Sequence, residues 1–139
     1  MTYIVALVVS GICWFCVAAV LGSSVPIRGE MWVQHLMSAV VTSLAVGYTF
    51  KKPLTTWRGW RWYILPMLTL LFATALYGLL LPLSWLVTAM LKGSGGVDGE
   101  AFYQIPAMMV LYSMTVYIVV LYPLALLTQT VLHKVCRDA

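Results

Sequence analysis

The sequence predicts an all-α fold: a polytopic membrane protein with a four-transmembrane-helix bundle, built as two helical hairpins with both termini cytoplasmic. Three observations predict it. Of the 139 residues, 63% are hydrophobic and only 9% are charged, against roughly 45–50% and 25% in a soluble domain. The apolar residues gather into four runs, 3–22, 31–50, 62–91 and 104–132, each at least as long as the roughly 20 residues that cross a bilayer. The basic residues are shared unequally between the connections. Lys51, Lys52, Arg58 and Arg61 lie in 51–61, and Lys134 and Arg137 in the tail. The connections at 23–30 and 92–103 carry only Arg28 and Lys92, beside Glu30, Asp98 and Glu100. Short loops rich in Lys and Arg stay on the cytoplasmic side, so 51–61 is an inner loop and the other two are outer. The length leaves no room for a further soluble domain, and 1–139 reads as one transmembrane domain.

The first run, Tyr3–Gly22, has no charge. It lacks the basic leader of a secretory signal and is longer than a typical signal core, so it reads as a retained helix. Pro26 and Gly29 break the pattern before the second run. That run is the most polar, with Gln34, His35, Ser38, Thr42, Ser43 and Thr49. Its polar side should face other helices, since lipid solvates such groups poorly. Ala39, Ser43 and Gly47 recur every four residues, a ladder of small side chains that allows close backbone approach.

The segment 51–61, KKPLTTWRGWR, opens with Pro53 near its start, which should stop the second helix. Trp57 and Trp60 alternate with Arg58 and Arg61. Beside Lys51 and Lys52 they form a set suited to anchoring at lipid headgroups. The net charge of +4 is explained by this placement, so membrane lipids are expected as partners and nucleic acid is not.

The third run exceeds what a span needs and must tilt, bend or protrude, with Pro66 and Pro82 as the expected bends. Thr74, Gly78 and Pro82 make a second small-residue line. The outer connection 92–103 is rich in glycine. In the fourth run Pro106 suits a first turn and Pro123 should kink the helix.

None of the four runs contains Asp, Glu, Lys or Arg. Pumps and ion carriers usually place an ionisable group at membrane depth, so this chain is not expected to be one by itself. Three groups are candidate sites. Cys13-Trp14-Phe15-Cys16 forms a C-x-x-C pattern. With four helices it resembles, in outline, the quinone-linked disulfide-generating membrane enzymes, which implies a thiol oxidoreductase. Against that, no basic side chain adjoins the pair to favour a thiolate, and two small polarizable side chains also pack well on a helix face. Arg28, Glu30, Gln34 and His35, facing Asp98, Glu100 and Gln104, form an outer polar cluster. With one His and no ligand spacing it reads as a solvated rim. Cys136, in a basic tail, fits an acylation site or a plain topogenic end. Met108, Met109 and Met114 read as packing, and no metal or cofactor is expected. No phosphate-binding loop or hydrolase motif occurs.

Three functions follow in order. The first is a non-catalytic subunit or accessory factor of a larger membrane complex, in a bacterial inner membrane, contacting other membrane subunits or itself through Ala39, Ser43, Gly47, Thr74 and Gly78. The second is an oligomeric transporter or channel for a small or lipid-like solute, with bent helices at Pro66, Pro82 and Pro123 and a polar path of Gln34, His35, Thr42 and Thr49. The third is the thiol oxidoreductase.

Overall fold

The structure is a computed structural model in which residues 2–21, 31–93 and 98–137 are described. Among them are six helices and no strand: α1 (Tyr3–Leu21), α2 (Met31–Thr49), α3 (Lys51–Thr56), α4 (Trp60–Lys92), α5 (Ala101–Thr115) and α6 (Ile118–Arg137). Three of them, α1, α4 and α6, are long and apolar enough to cross a membrane. Helix α2 matches α1 in length at 19 residues, but Gln34, His35 and its hydroxyl groups lower its apolar character.

Two sequence expectations change. The segment 51–61 is not all loop. Its first half forms the short helix α3, and α4 already begins at Trp60. Pro53 has no N–H for the Thr49 carbonyl, so the helix yields at Phe50 and restarts instead of ending. The fourth run is not one helix bent at Pro123. It divides at Val116–Tyr117, where the Tyr112 carbonyl accepts from both the Val116 and the Tyr117 N–H at 3.0 Å. Pro123 crowds the carbonyl four residues back, at Val119. The stretch before it (Thr115, Val116, Ile118, Val119, Val120) is dense in β-branched residues, which lose side-chain freedom in a helix.

By contrast, α4 runs unbroken through Pro66 and Pro82. Its 33 residues extend to about 50 Å at ~1.5 Å per residue, well beyond a ~30 Å hydrocarbon layer. Pro66 leaves the Trp62 carbonyl without its helical donor, and Gln129 Nε2 of α6 fills the vacancy at 3.0 Å. A neighbouring helix supplying the missing bond is what allows proline inside a span. Gly59 and Gly93 take positive φ at the two ends of α4, a conformation that glycine adopts without a β-carbon clash.

Helices α1 and α2 pair antiparallel along their whole length. Tyr3 OH donates to the Gly47 carbonyl at 2.8 Å, Ser43 Oγ donates to the Leu7 carbonyl at 2.8 Å, and the Phe15 and Trp32 rings meet edge to face at 5.5 Å. Helix α2 then packs on α4, α4 packs on α5 and α6, and α6 returns to α1 and α3, closing a ring. The closing contact is the cluster Leu70, Leu121 and Ala125, against which Trp14, Val17 and Leu21 pack. Large apolar side chains such as Val20, Val33, Leu91, Val119 and Leu127 point outward, as they do in a bundle surrounded by lipid.

Candidate functional site: a cavity along the bundle

The ring of helices is tight on two sides and open in the middle. On the α1–α2 side, Gly11 and Gly47 let the backbones close. A β-carbon at Gly11 would stand 2.8 Å from Val40 Cα, and one at Gly47 would run into the methyls of Leu7. On the α4–α5 side, a β-carbon at Gly78 would stand 2.6 Å from Pro106 Cα. The α2–α4 seam is wider. It is bridged by side chains: Gln34 Nε2 donates to Thr88 Oγ1 at 2.8 Å, His35 Nδ1 meets Tyr77 OH at 2.7 Å, and the Phe50 and Phe72 rings meet at 5.8 Å.

Between these walls lies a cavity of about 970 Å³. That volume is near the top of the ~300–1,000 Å³ typical of small-molecule sites. Met31, His35, Trp85 and Gln104 border it at one end, and Phe50, Leu54, Gln129 and Leu132 at the other. The walls are mostly Leu, Ala, Val, Met and aromatic rings, and among the described residues no Asp, Glu, Lys or Arg lines them. Most hydroxyls on the walls are satisfied within the chain. Thr69 and Thr74 donate to carbonyls of their own helix, and Thr74 also accepts from Ser113 at 3.4 Å. Among the described residues, four buried polar atoms have no partner: Gln34 Oε1, Thr42 Oγ1, Trp85 Nε1 and Gln129 Oε1. The last three belong to residues that line the cavity. A buried polar group without a partner costs on the order of 1–3 kcal/mol.

The residues singled out from sequence distribute as follows. Ala39 and Gly47 are buried against α1, and Ser43 bonds there, so this ladder joins helices of the same chain. Thr74 and Gly78 do the same toward α5. Of the outer cluster, Arg28 and Glu30 lie outside the described residues. Gln34 and His35 turn into α4, and Glu100 bonds Gln104 at 2.7 Å on the exposed surface. Among the described residues, no three His, Cys, Asp or Glu side chains converge. Lys51 Nζ lies 5.1 Å from the Tyr3 ring and Arg61 6.0 Å from the Trp60 ring. Lys52, Arg58 and Trp60 are exposed and Trp57 is half-buried. His133 Nδ1 donates to the Leu54 carbonyl at 2.9 Å, tying α3 to α6. Cys13 and Cys16 are free and exposed on the outer side of α1, away from the cavity walls.

Gln129 was not singled out from the sequence. Its signal is a carboxamide between Thr128 and Thr130 in a largely apolar run, five residues before Lys134. Compared with protein-family models, characterised proteins and solved structures, the chain matches none.

Proposed function

We propose that the protein is a four-span membrane protein that binds and carries an apolar or lipid-like solute inside its own bundle. The cavity is the observation that carries this reading. It is long and largely apolar, and among the described residues no charged side chain lines it, a composition that suits a small apolar molecule. The described lining comes from one chain.

Four spans are supported by the pairing of α2 with α1 from Tyr3–Gly47 to Phe15–Trp32, since a helix aligned with a spanning partner shares its depth. They are also supported by α5 and α6, which together follow α4 from Gly78 down to Trp62. The basic residues of 51–61 and of the tail favour cytoplasmic termini, as in a bacterial inner membrane. A second reading is the accessory subunit, favoured by the lack of charge in the apolar runs and by the broad apolar outer faces.

Native mass spectrometry of the protein released from its own membrane separates the two. A single chain retaining a low-mass apolar molecule supports the solute site. Arrival with larger membrane subunits and nothing retained inside overturns it in favour of the accessory role.

A further inference from the structure

The cavity is closed at one end and open toward the other. At the end that carries Lys51, Lys52, Lys134 and Arg137, the lining residues Tyr3, Leu54 and Gln129 are buried, and Phe50 and Leu132 are half-buried. The described lining residues that are exposed are Ala18, Met31, Gln104, Met108, Met109 and Tyr112. They belong to α1, α2 and α5. The opening has a structural cause. Helix α5 packs on α4 and α6, and among the described residues no Cα of α5 comes within 8 Å of one in α1 or α2. The six exposed residues rim a mouth in the side of the bundle.

The depth and polarity of the mouth indicate what meets it. The Ser113–Thr74 bond of 3.4 Å holds the inner edge, at Tyr112, beside Thr74, fourteen residues after Trp60 in a helix of 33. That is about 21 Å along an axis of about 50 Å, within the hydrocarbon layer for a helix that crosses it. From Tyr112 the rim runs eight residues along α5, about 12 Å, to Gln104, which donates to the exposed Glu100 at 2.7 Å. The rim is thus polar at Gln104 and Glu100 and apolar from there inward. A membrane lipid has the same order, a polar head followed by an apolar chain.

We propose that an acyl chain of a membrane lipid enters the cavity sideways through this mouth, between α5 and the α1–α2 pair, and leaves its headgroup outside at the Gln104–Glu100 edge. The proposal rests on the reading of the cavity as a solute site and adds the occupant and its route. A charged headgroup would enter walls that, among the described residues, hold no counter-charge, at a large desolvation cost, so it stays out. Lipid tails are as apolar as the walls, so a chain moves between bilayer and cavity with little change in solvation. Met108 and Met109 suit the rim, because an unbranched thioether side chain adapts its shape to what passes it.

The test uses the full chain in phosphatidylcholine nanodiscs with three photoreactive probes in separate samples. One is a phosphatidylcholine with a diazirine at the end of an acyl chain, one carries the diazirine in the headgroup, and one is an octadecane diazirine. Adducts are mapped by peptide mass spectrometry. The chain probe should label Val46, Ala73 and Tyr77, which line the cavity and are half-buried, and the headgroup probe should not. Ala18→Trp and Met109→Trp change exposed rim positions, so both variants should fold. Each should lower interior adducts about fivefold or more, the population change that overpacking produces. Leu111→Trp, exposed on α5 but not lining the cavity, is the control and should leave them unchanged. Interior adducts of the chain probe that persist undiminished in both rim variants overturn the mouth and leave the solute cavity standing. Equal interior labelling by headgroup and chain probes overturns entry of the chain alone. Interior labelling by the octadecane probe but not by the lipid overturns the lipid occupant only. Interior labelling by none of the three overturns this proposal and the solute cavity together. Efficient disulfide dimers of Met108→Cys in a cysteine-free background, with no interior lipid adducts, overturn it in favour of a second copy covering the mouth.

Discussion

Gly78 of α4 faces the backbone of Pro106 in α5 so closely that an added methyl group would stand 2.6 Å from Pro106 Cα and 3.0 Å from its nitrogen. The obstacle is main chain and cannot rotate aside. Gly78→Ala is therefore expected to destabilise the protein by about 1–3 kcal/mol, the usual penalty for overpacking, and to lower the thermal midpoint in detergent. Gly99→Ala, which meets nothing within 4 Å, is the matched control and should leave the midpoint in place. Equal midpoints for the two variants would remove Gly78 from the packing account.

At Gly47 the obstacle is a side chain. A β-carbon there collides with the methyls of Leu7, which is completely buried. Gly47→Ala should destabilise, and the loss should shrink when Leu7→Ala is added, because truncation clears the space. The double-mutant cycle should give a coupling on the order of 0.5–3 kcal/mol, as for residues in contact. Additive losses would mean that the two side chains do not share that space.

The His35–Tyr77 bond of 2.7 Å joins α2 to α4 beside the cavity. Hydrogen bonds between membrane helices average about 0.6 kcal/mol in such cycles and rarely exceed ~2. His35→Leu, Tyr77→Phe and the pair should therefore couple by about that amount in unfolding measurements. A coupling near zero would leave the α2–α4 seam to the Gln34–Thr88 bond and the Phe50–Phe72 contact.

Cys13 and Cys16 are exposed on the outer side of α1. In native membranes they should react with a lipid-soluble maleimide and resist a water-soluble one. The Cys13→Ala/Cys16→Ala variant should keep the thermal midpoint and any solute binding. Loss of activity in that variant would restore the thiol oxidoreductase to first place.

For topology, a cysteine-free background bearing Arg58→Cys or Gly99→Cys reports the two ends of α4, since both positions are exposed. With the termini inside, a membrane-impermeant reagent applied to intact cells should label position 99 and spare position 58. The opposite pattern would invert the bundle.

Much of this fold is legible in the sequence because membrane helices announce themselves by length and charge. The boundaries of α1 and α2 follow from runs free of charged residues. The facing of Gln34 and His35 toward α4 follows from the poor solvation of polar groups in lipid. The break at Val116–Tyr117 was less legible. Pro123 is the visible cue, but the strain it creates is relieved several residues upstream, where β-branched residues hold the helix least firmly. Pro66 shows the converse, since α4 runs on through it where another helix brings a donor. Gln129 does so for the Trp62 carbonyl, a pairing 67 residues apart in sequence that no local pattern reveals. The cavity was equally hidden. It arises from the contrast between glycine-tightened seams and side-chain-bridged ones, and that contrast exists only once the helices are assembled.

An interior of about 970 Å³ also changes what stability means for this molecule. Binding to the folded form alone adds RT ln(1 + [L]/Kd) to its unfolding free energy, and a detergent tail or a lipid acyl chain counts as L. The melting curve is then a property of protein and medium together. Two detergents of identical headgroup and different tail length would yield two different melting temperatures, and stripping lipid during purification would act as ligand removal. An amphiphile bound there would be a stoichiometric component of the folded state.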